Sequence, residues 1–167
     1  MTTQAIKSQY RASLKMLGEA VTTCADALWD DEEYHIRFWH IAYHALFYTH
    51  LYLQDSDTAF VPWSKHRKGY ESLGPLPGPL HRTPDVGEPY TKEEVLEYLA
   101  VCQGQVEERV SSIDLEAASG FHWLPFGKLE LQLYNIRHLQ HHTGQLVDRL
   151  RIKQDAGVSW VGQVEDQ

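Results

Sequence analysis

Six of the chain's seven prolines fall between residues 54 and 90, so no regular helix or strand can run through that stretch. In Leu73-Gly74-Pro75-Leu76-Pro77-Gly78-Pro79 the missing amide donors and fixed φ angles exclude both kinds of ladder. Regular structure must come from the residues on either side. The segment reads as a long crossover, and Phe60, Trp63, Tyr70 and Leu73 give it apolar groups with which to dock. A loop of this length in a compact domain serves either as a lid or as a spacer between distant helix ends.

Four flanking segments carry helical signals. Over residues 3–24, Ile6, Tyr10, Leu14, Leu17 and Val21 recur at intervals of three and four, which describes an amphipathic helix with one buried stripe. Over residues 33–53, Trp39, Ile41, Ala42, Ala45, Leu46, Phe47, Leu51 and Leu53 spread nearly all round the axis, as expected of a central helix. Thr91-Lys92-Glu93-Glu94 is a capping box that starts a third helix over residues 91–113. The fourth spans residues 128–155 and is expected to stop at Gly157 with a left-handed cap, leaving a tail in which residues 158–161 are extended. No strand pattern of any length competes. The length suits a single all-α domain, residues 1–167.

A formal charge of −8 argues against a nucleic-acid surface, since basic residues cluster only around Lys65-His66-Arg67-Lys68 and Arg149-Leu150-Arg151. Cys24 and Cys102 lie in separate helical segments, so neither a disulfide framework nor a thiolate zinc knuckle is expected. No apolar run has signal-peptide character or reaches the roughly 18 residues of a membrane span. The expectation is a soluble cytoplasmic protein with no nucleic-acid or membrane partner.

Ten histidines are many for this length, and most fall in two stretches, one in the second helical segment and one running into the fourth. His138 and His142, four residues apart, leave the same face of the last helix. On a wheel of about 100° per residue, Leu131, His142 and Arg149 lie within about 40° of His138, with Gln145 just to the other side. Arg137, Gln140, Asp148 and Arg151 fall on the wet arc and His141 at its border. Two interior imidazoles without partners each cost on the order of 1–3 kcal/mol. A shared metal removes that cost for both, whereas bonds to tyrosines, glutamines or backbone would have to do so singly.

The second helical segment supplies His40, His44 and His50. His40 and His44 form another pair at four residues, and spacing does not choose between them; His50 lies about 120° from His44 and cannot share its metal. His35, His66, His81 and His122 fall near helix ends or in loops and are expected to be solvated, with His122 beside Trp123 a candidate to line a cleft.

Trp39-His40-Ile41-Ala42-Tyr43-His44 followed by Phe47, together with His138-Leu139-Gln140-His141-His142-Thr143-Gly144-Gln145, resembles the DinB-like (YfiT-like) superfamily of metal-binding helical bundles. The resemblance covers the whole chain, from the four helical segments to the crossover after the second. It implies an up-down-down-up four-helix bundle in which His44, His138 and His142 bind a divalent metal such as zinc, nickel or iron. It implies His40 in a supporting position, and His141, Tyr134 and Gln145 stand as its companions around the site. Thr143 replaces the arginine that many relatives carry after the double histidine, so no role is borrowed from a cation there. Three neutral imidazoles with open coordination positions suit a transferase that activates a low-molecular-weight thiol, or a hydrolase that activates water, acting on a small molecule. The rival expectation is a non-catalytic, metal-binding or sensory homodimer paired through exposed apolar groups of the last helix; Leu129, Leu133, Ile136 and Val147 lie away from the histidine stripe and suit either packing or a partner.

Overall fold

In a computed structural model, which describes residues 1–74 and 86–164, five helices and no strand are present among the described residues. They are α1 (Thr2–Thr23), α2 (Asp26–Trp29), α3 (Phe38–Tyr52), α4 (Lys92–Arg109) and α5 (Lys128–Gln154). The prolines at 75, 77, 79 and 84 and His81 lie outside the described residues. None of the helices is long and apolar enough to cross a membrane.

The stripe of α1 is buried as expected: Ile6, Tyr10, Leu14, Leu17 and Val21 all lie in the core. α3 is the central helix, and every one of its side chains is buried except His44 and Tyr48. α1 and α3 each pack against both α4 and α5. Buried polar bonds then fix how α5 sits between its neighbours. The Tyr10 hydroxyl donates to Gln132 Oε1 at 2.8 Å, and Asn135 Nδ2 donates to the Thr49 carbonyl at 3.1 Å. Both groups are fully buried, so sliding α5 would strand them and lose about 1–3 kcal/mol for each.

Helix ends depart from expectation where side chains compete with the helical ladder. The second helical segment does not begin at residue 33. Asp31 Oδ1 accepts the Glu33 amide, Arg37 is extended at φ −68°, ψ 162°, and α3 starts at Phe38, while the short α2 forms upstream. The Thr91/Glu94 capping box is present with both of its bonds, but α4 ends at Arg109, whose carbonyl accepts the Ser112 and Ile113 amides in a closing turn. The left-handed residue after α5 is Asp155 at φ 50°, not Gly157. An aspartate tolerates that conformation better than most residues, so the left-handed cap comes two positions early. The tail returns along α1, with Gly162 accepting from Gln9 and the Val164 amide donating to Ser8. Of the four apolar residues that suit either packing or a partner, Val147 is a core residue.

The described part of the crossover docks: Trp63 and Tyr70 are buried, and Phe60 and Leu73 pack against the core. At the opposite end, Lys128 opens α5 with its ammonium buried. Nζ donates to the carbonyls of Gln54 at 2.8 Å, Asp55 at 3.1 Å and Ser119 at 2.7 Å. Three carbonyl dipoles replace its water shell and tie the chain leaving α3 to the start of α5. Those two helices carry the histidines.

Candidate metal centre

α3 and α5 meet so that His44, His138 and His142 converge, with their ligand atoms all within 4.8 Å of one another. His138 Nε2 lies 3.1 Å from both His44 Nε2 and His142 Nε2. Nitrogens bound to one cation at about 2.0–2.1 Å would be about 2.8–3.4 Å apart across octahedral and tetrahedral geometries, so the two short edges already match.

Protons support the same arrangement. His44 Nδ1 is 2.6 Å from the Glu71 carbonyl oxygen, which can only accept, so Nδ1 carries the proton and Nε2 presents a lone pair. His142 Nδ1 likewise donates to Gln145 Oε1 at 2.8 Å, which leaves its Nε2 lone pair facing the same point. A proton on His138 Nε2 could satisfy one of these lone pairs at a time and would leave the other opposed to a ring nitrogen. A cation satisfies all three. His138 Nδ1 is buried with no hydrogen-bond partner, so this imidazole is the one whose ring is held by packing alone. Backbone and amide acceptors behind metal-binding imidazoles are the usual means of fixing their tautomer and direction.

The imidazoles are held neutral. Burial, then the neighbouring His142, pushes His44 down to about 2; burial and His142 push His138 down to about 4; burial also lowers His142. Unfolded imidazoles titrate near 6.5. Between that pH and the folded values the unfolded chain binds more protons, so the metal-free fold is at full stability above pH 6.5 and loses it on acidification. Thermal melts of chelator-treated protein should show Tm constant from pH 8 to 7 and falling steadily below 6.5, as folding free energy is lost by up to about 1.4 kcal/mol per pH unit for each such group. A Tm independent of pH between 6.5 and 4.5 would show that these histidines take up protons in the fold as readily as in the unfolded chain.

The chain matches no family model, no curated protein and no solved structure. The site therefore stands on its own geometry.

The other histidines separate cleanly. His40 is one turn from His44 but outside the cluster: its Nε2 donates to the Tyr70 carbonyl at 2.8 Å and its ring stacks on Trp39. His50 faces away, bonded to the Tyr98 hydroxyl at 3.2 Å and edge-on to Phe60. His35 and His122 are exposed as expected, and His122 lines a cleft in the loop before α5. His66 is a correction: it is half-buried, with Nδ1 2.6 Å from the Tyr43 hydroxyl, because the crossover folds back over α3. Thr143 is fully buried and donates to the Leu139 carbonyl, so no cation stands at that position. Gln145 holds His142, and His141 and Tyr134 line a cavity of about 310 Å³ that reaches His138.

The fourth residue lining that cavity is Arg137, which the helical wheel had assigned to solvent. It is exposed, and its guanidinium lies over the Tyr134 ring at 5.5 Å. Arg137 sits one residue before His138, so its side chain leaves α5 on the flank next to the histidine stripe. A wheel shows that adjacency but not the cavity between the two. Tyr48, Tyr52 and Tyr134 form an aromatic run beside the histidines, with Tyr48 4.8 Å from the His44 ring and 5.4 Å from that of His138.

Proposed function

We propose that this chain is a divalent-metal-dependent enzyme of the DinB-like superfamily, a four-helix bundle of up-down-down-up topology that transfers a low-molecular-weight thiol to a small electrophile. The observation that carries the reading is the convergence of three Nε2 atoms, two of them with tautomers set by acceptors behind the rings. A zinc, nickel or iron ion held by three neutral imidazoles keeps open positions and, as a Lewis acid, lowers the pKa of a thiol or of water brought to it.

The chain's own residues do the rest. The Glu71 carbonyl and the Gln145 amide keep the Nδ1 protons of His44 and His142 in place, so neither ring can turn its lone pair away. Tyr48, Tyr52 and Tyr134 wall one side and limit the water that reaches the nucleophile. None of the four residues lining the cavity at His138 is a carboxylate. A thiol suits such a place better than water, because its lower pKa lets it ionise without a strong general base.

Cobalt-substituted protein tests the reading, since its visible spectrum responds to ligands of the metal. Both azide and a small thiol such as cysteine should perturb the spectrum at one cobalt per chain, the thiol by a new sulfur-to-metal charge-transfer band. Response to azide alone would favour the hydrolytic version. A cobalt spectrum indifferent to both would mean a closed site and a structural or sensory role.

A further inference from the structure

We infer that Arg137 and His141 bind the anionic group of a small amphipathic ligand whose apolar part lies over Leu133 and Ile136 beside Trp160, with its reactive end at His138; only the role of that reactive end rests on the metal-centre reading.

Two cavities meet at this wall. The first, about 310 Å³, has His138, Tyr134, Arg137 and His141 around it. The second, about 540 Å³, lies between α1, α5 and the C-terminal tail; Arg137 and His141 line it too, together with Leu133, Ile136 and Trp160. Each volume is in the range of small-molecule sites, about 300–1,000 Å³. Although acidic residues outnumber basic ones by 23 to 15, no carboxylate lines either cavity. Among the described residues no carboxylate forms an ion pair with Arg137, whose guanidinium rests on the Tyr134 face. A planar fork of N–H donors on an aromatic ring is suited to a carboxylate or a phosphate ester.

The apolar half is equally specific to this groove. Leu133 is 58% exposed and Trp160 76%, and these two large apolar side chains line the same hollow. Exposed apolar groups gathered around a cavity mark a binding surface. A second copy paired through this same groove fits less well than a small anion, because the groove has no carboxylate to offer the partner's guanidinium while desolvating it.

Calorimetric titration of chelator-treated full-length protein with hexanoate, hexyl phosphate and neutral hexanamide tests this at neutral pH. One of the two anions should bind at least about tenfold more tightly than hexanamide, and the tighter of them identifies carboxylate or phosphate as the recognised group. Arg137→Gln should erase the preference while far-UV circular dichroism and metal content stay unchanged, and Leu133→Ser should weaken anion and amide alike. Equal binding of the amide and both anions, or a preference that survives Arg137→Gln, would overturn the inference. A concentration-dependent dimer dispersed by Leu133→Ser would overturn it too, by giving the groove to a second copy. Because no metal is present in these titrations, failure of the metal-centre reading leaves their result intact, and a metal-binding protein without anion preference sinks this inference alone.

Discussion

Alanine at His44, His138 or His142 is expected to abolish stoichiometric metal binding, each substitution alone weakening it by at least about 100-fold, while His40→Ala and His50→Ala retain a full equivalent. The magnitude follows from comparison with supporting groups. Loss of an outer hydrogen-bond partner typically costs 10–100-fold in metal affinity, and loss of one of three ligands costs more. The contrast between neighbours makes the experiment sharp. His40 sits one turn from His44 with the same side-chain chemistry, yet its Nε2 is spent on the Tyr70 carbonyl. Elemental analysis of the five purified variants after dialysis reads the result directly. A full equivalent of metal in the His44 variant would refute the centre, and loss of metal in the His50 variant would place it elsewhere. Gln145→Ala should fall between these limits, because it frees the Nδ1 proton of His142 without removing a ligand.

Gly120→Ala is expected to be the most damaging single-methyl change at a site remote from the histidines. Gly120 has φ +86°, and a Cβ built there would stand 1.8 Å from the Asp55 carbonyl oxygen. The left-handed backbone costs an alanine about 1–2 kcal/mol on its own, and the overlap forces two backbone segments apart. That movement also pulls at the knot held by Lys128, since the carbonyls of Asp55 and Ser119 both accept its ammonium. A total of about 3 kcal/mol or more follows, which in a chain of this length lowers Tm by roughly 10 °C. Gly104→Ala is the matched control: it is exposed in α4 with no atom within 4 Å of its added methyl, and should raise stability by up to about 1 kcal/mol. Paired thermal melts decide the matter. Equal melting temperatures for the two variants would mean that the Gly120 turn relaxes at little cost.

Periodic features of this chain are legible in its sequence, and contacts made by tertiary folding are not. His138 and His142 were legible because a helix repeats, and an interior polar pair at four residues needs only the wheel to be noticed. The choice between His40 and His44 was not legible from spacing, since both occupy one face of α3; it is made by two carbonyls of the crossover, at Tyr70 and Glu71, whose positions depend on tertiary folding. The start of α3 differs from the expected residue 33 because the Asp31 carboxylate accepts the Glu33 amide, a local bond that periodicity does not show. Lys128 gave no warning either, as a lysine in a first helical turn ordinarily faces water; its burial comes from three carbonyls converging from distant segments. Arg137 is exposed, as the wheel implies, and it lines the cavity at His138 as well, since solvent exposure and membership of a cavity wall are compatible.

The paired grip of His40 and His44 on consecutive carbonyls has a mechanical consequence. Each ring pins one residue of the chain as it leaves the body, so any rotation of His44 that accommodates a cation must be passed to Glu71 through a 2.6 Å bond, while His40 holds Tyr70 still beside it. The peptide plane between Glu71 and Ser72 then behaves as a lever, with the plane between Tyr70 and Glu71 as its fixed fulcrum. Amide exchange over residues 69–74 would register the filling of a centre that none of those residues touches with a side chain.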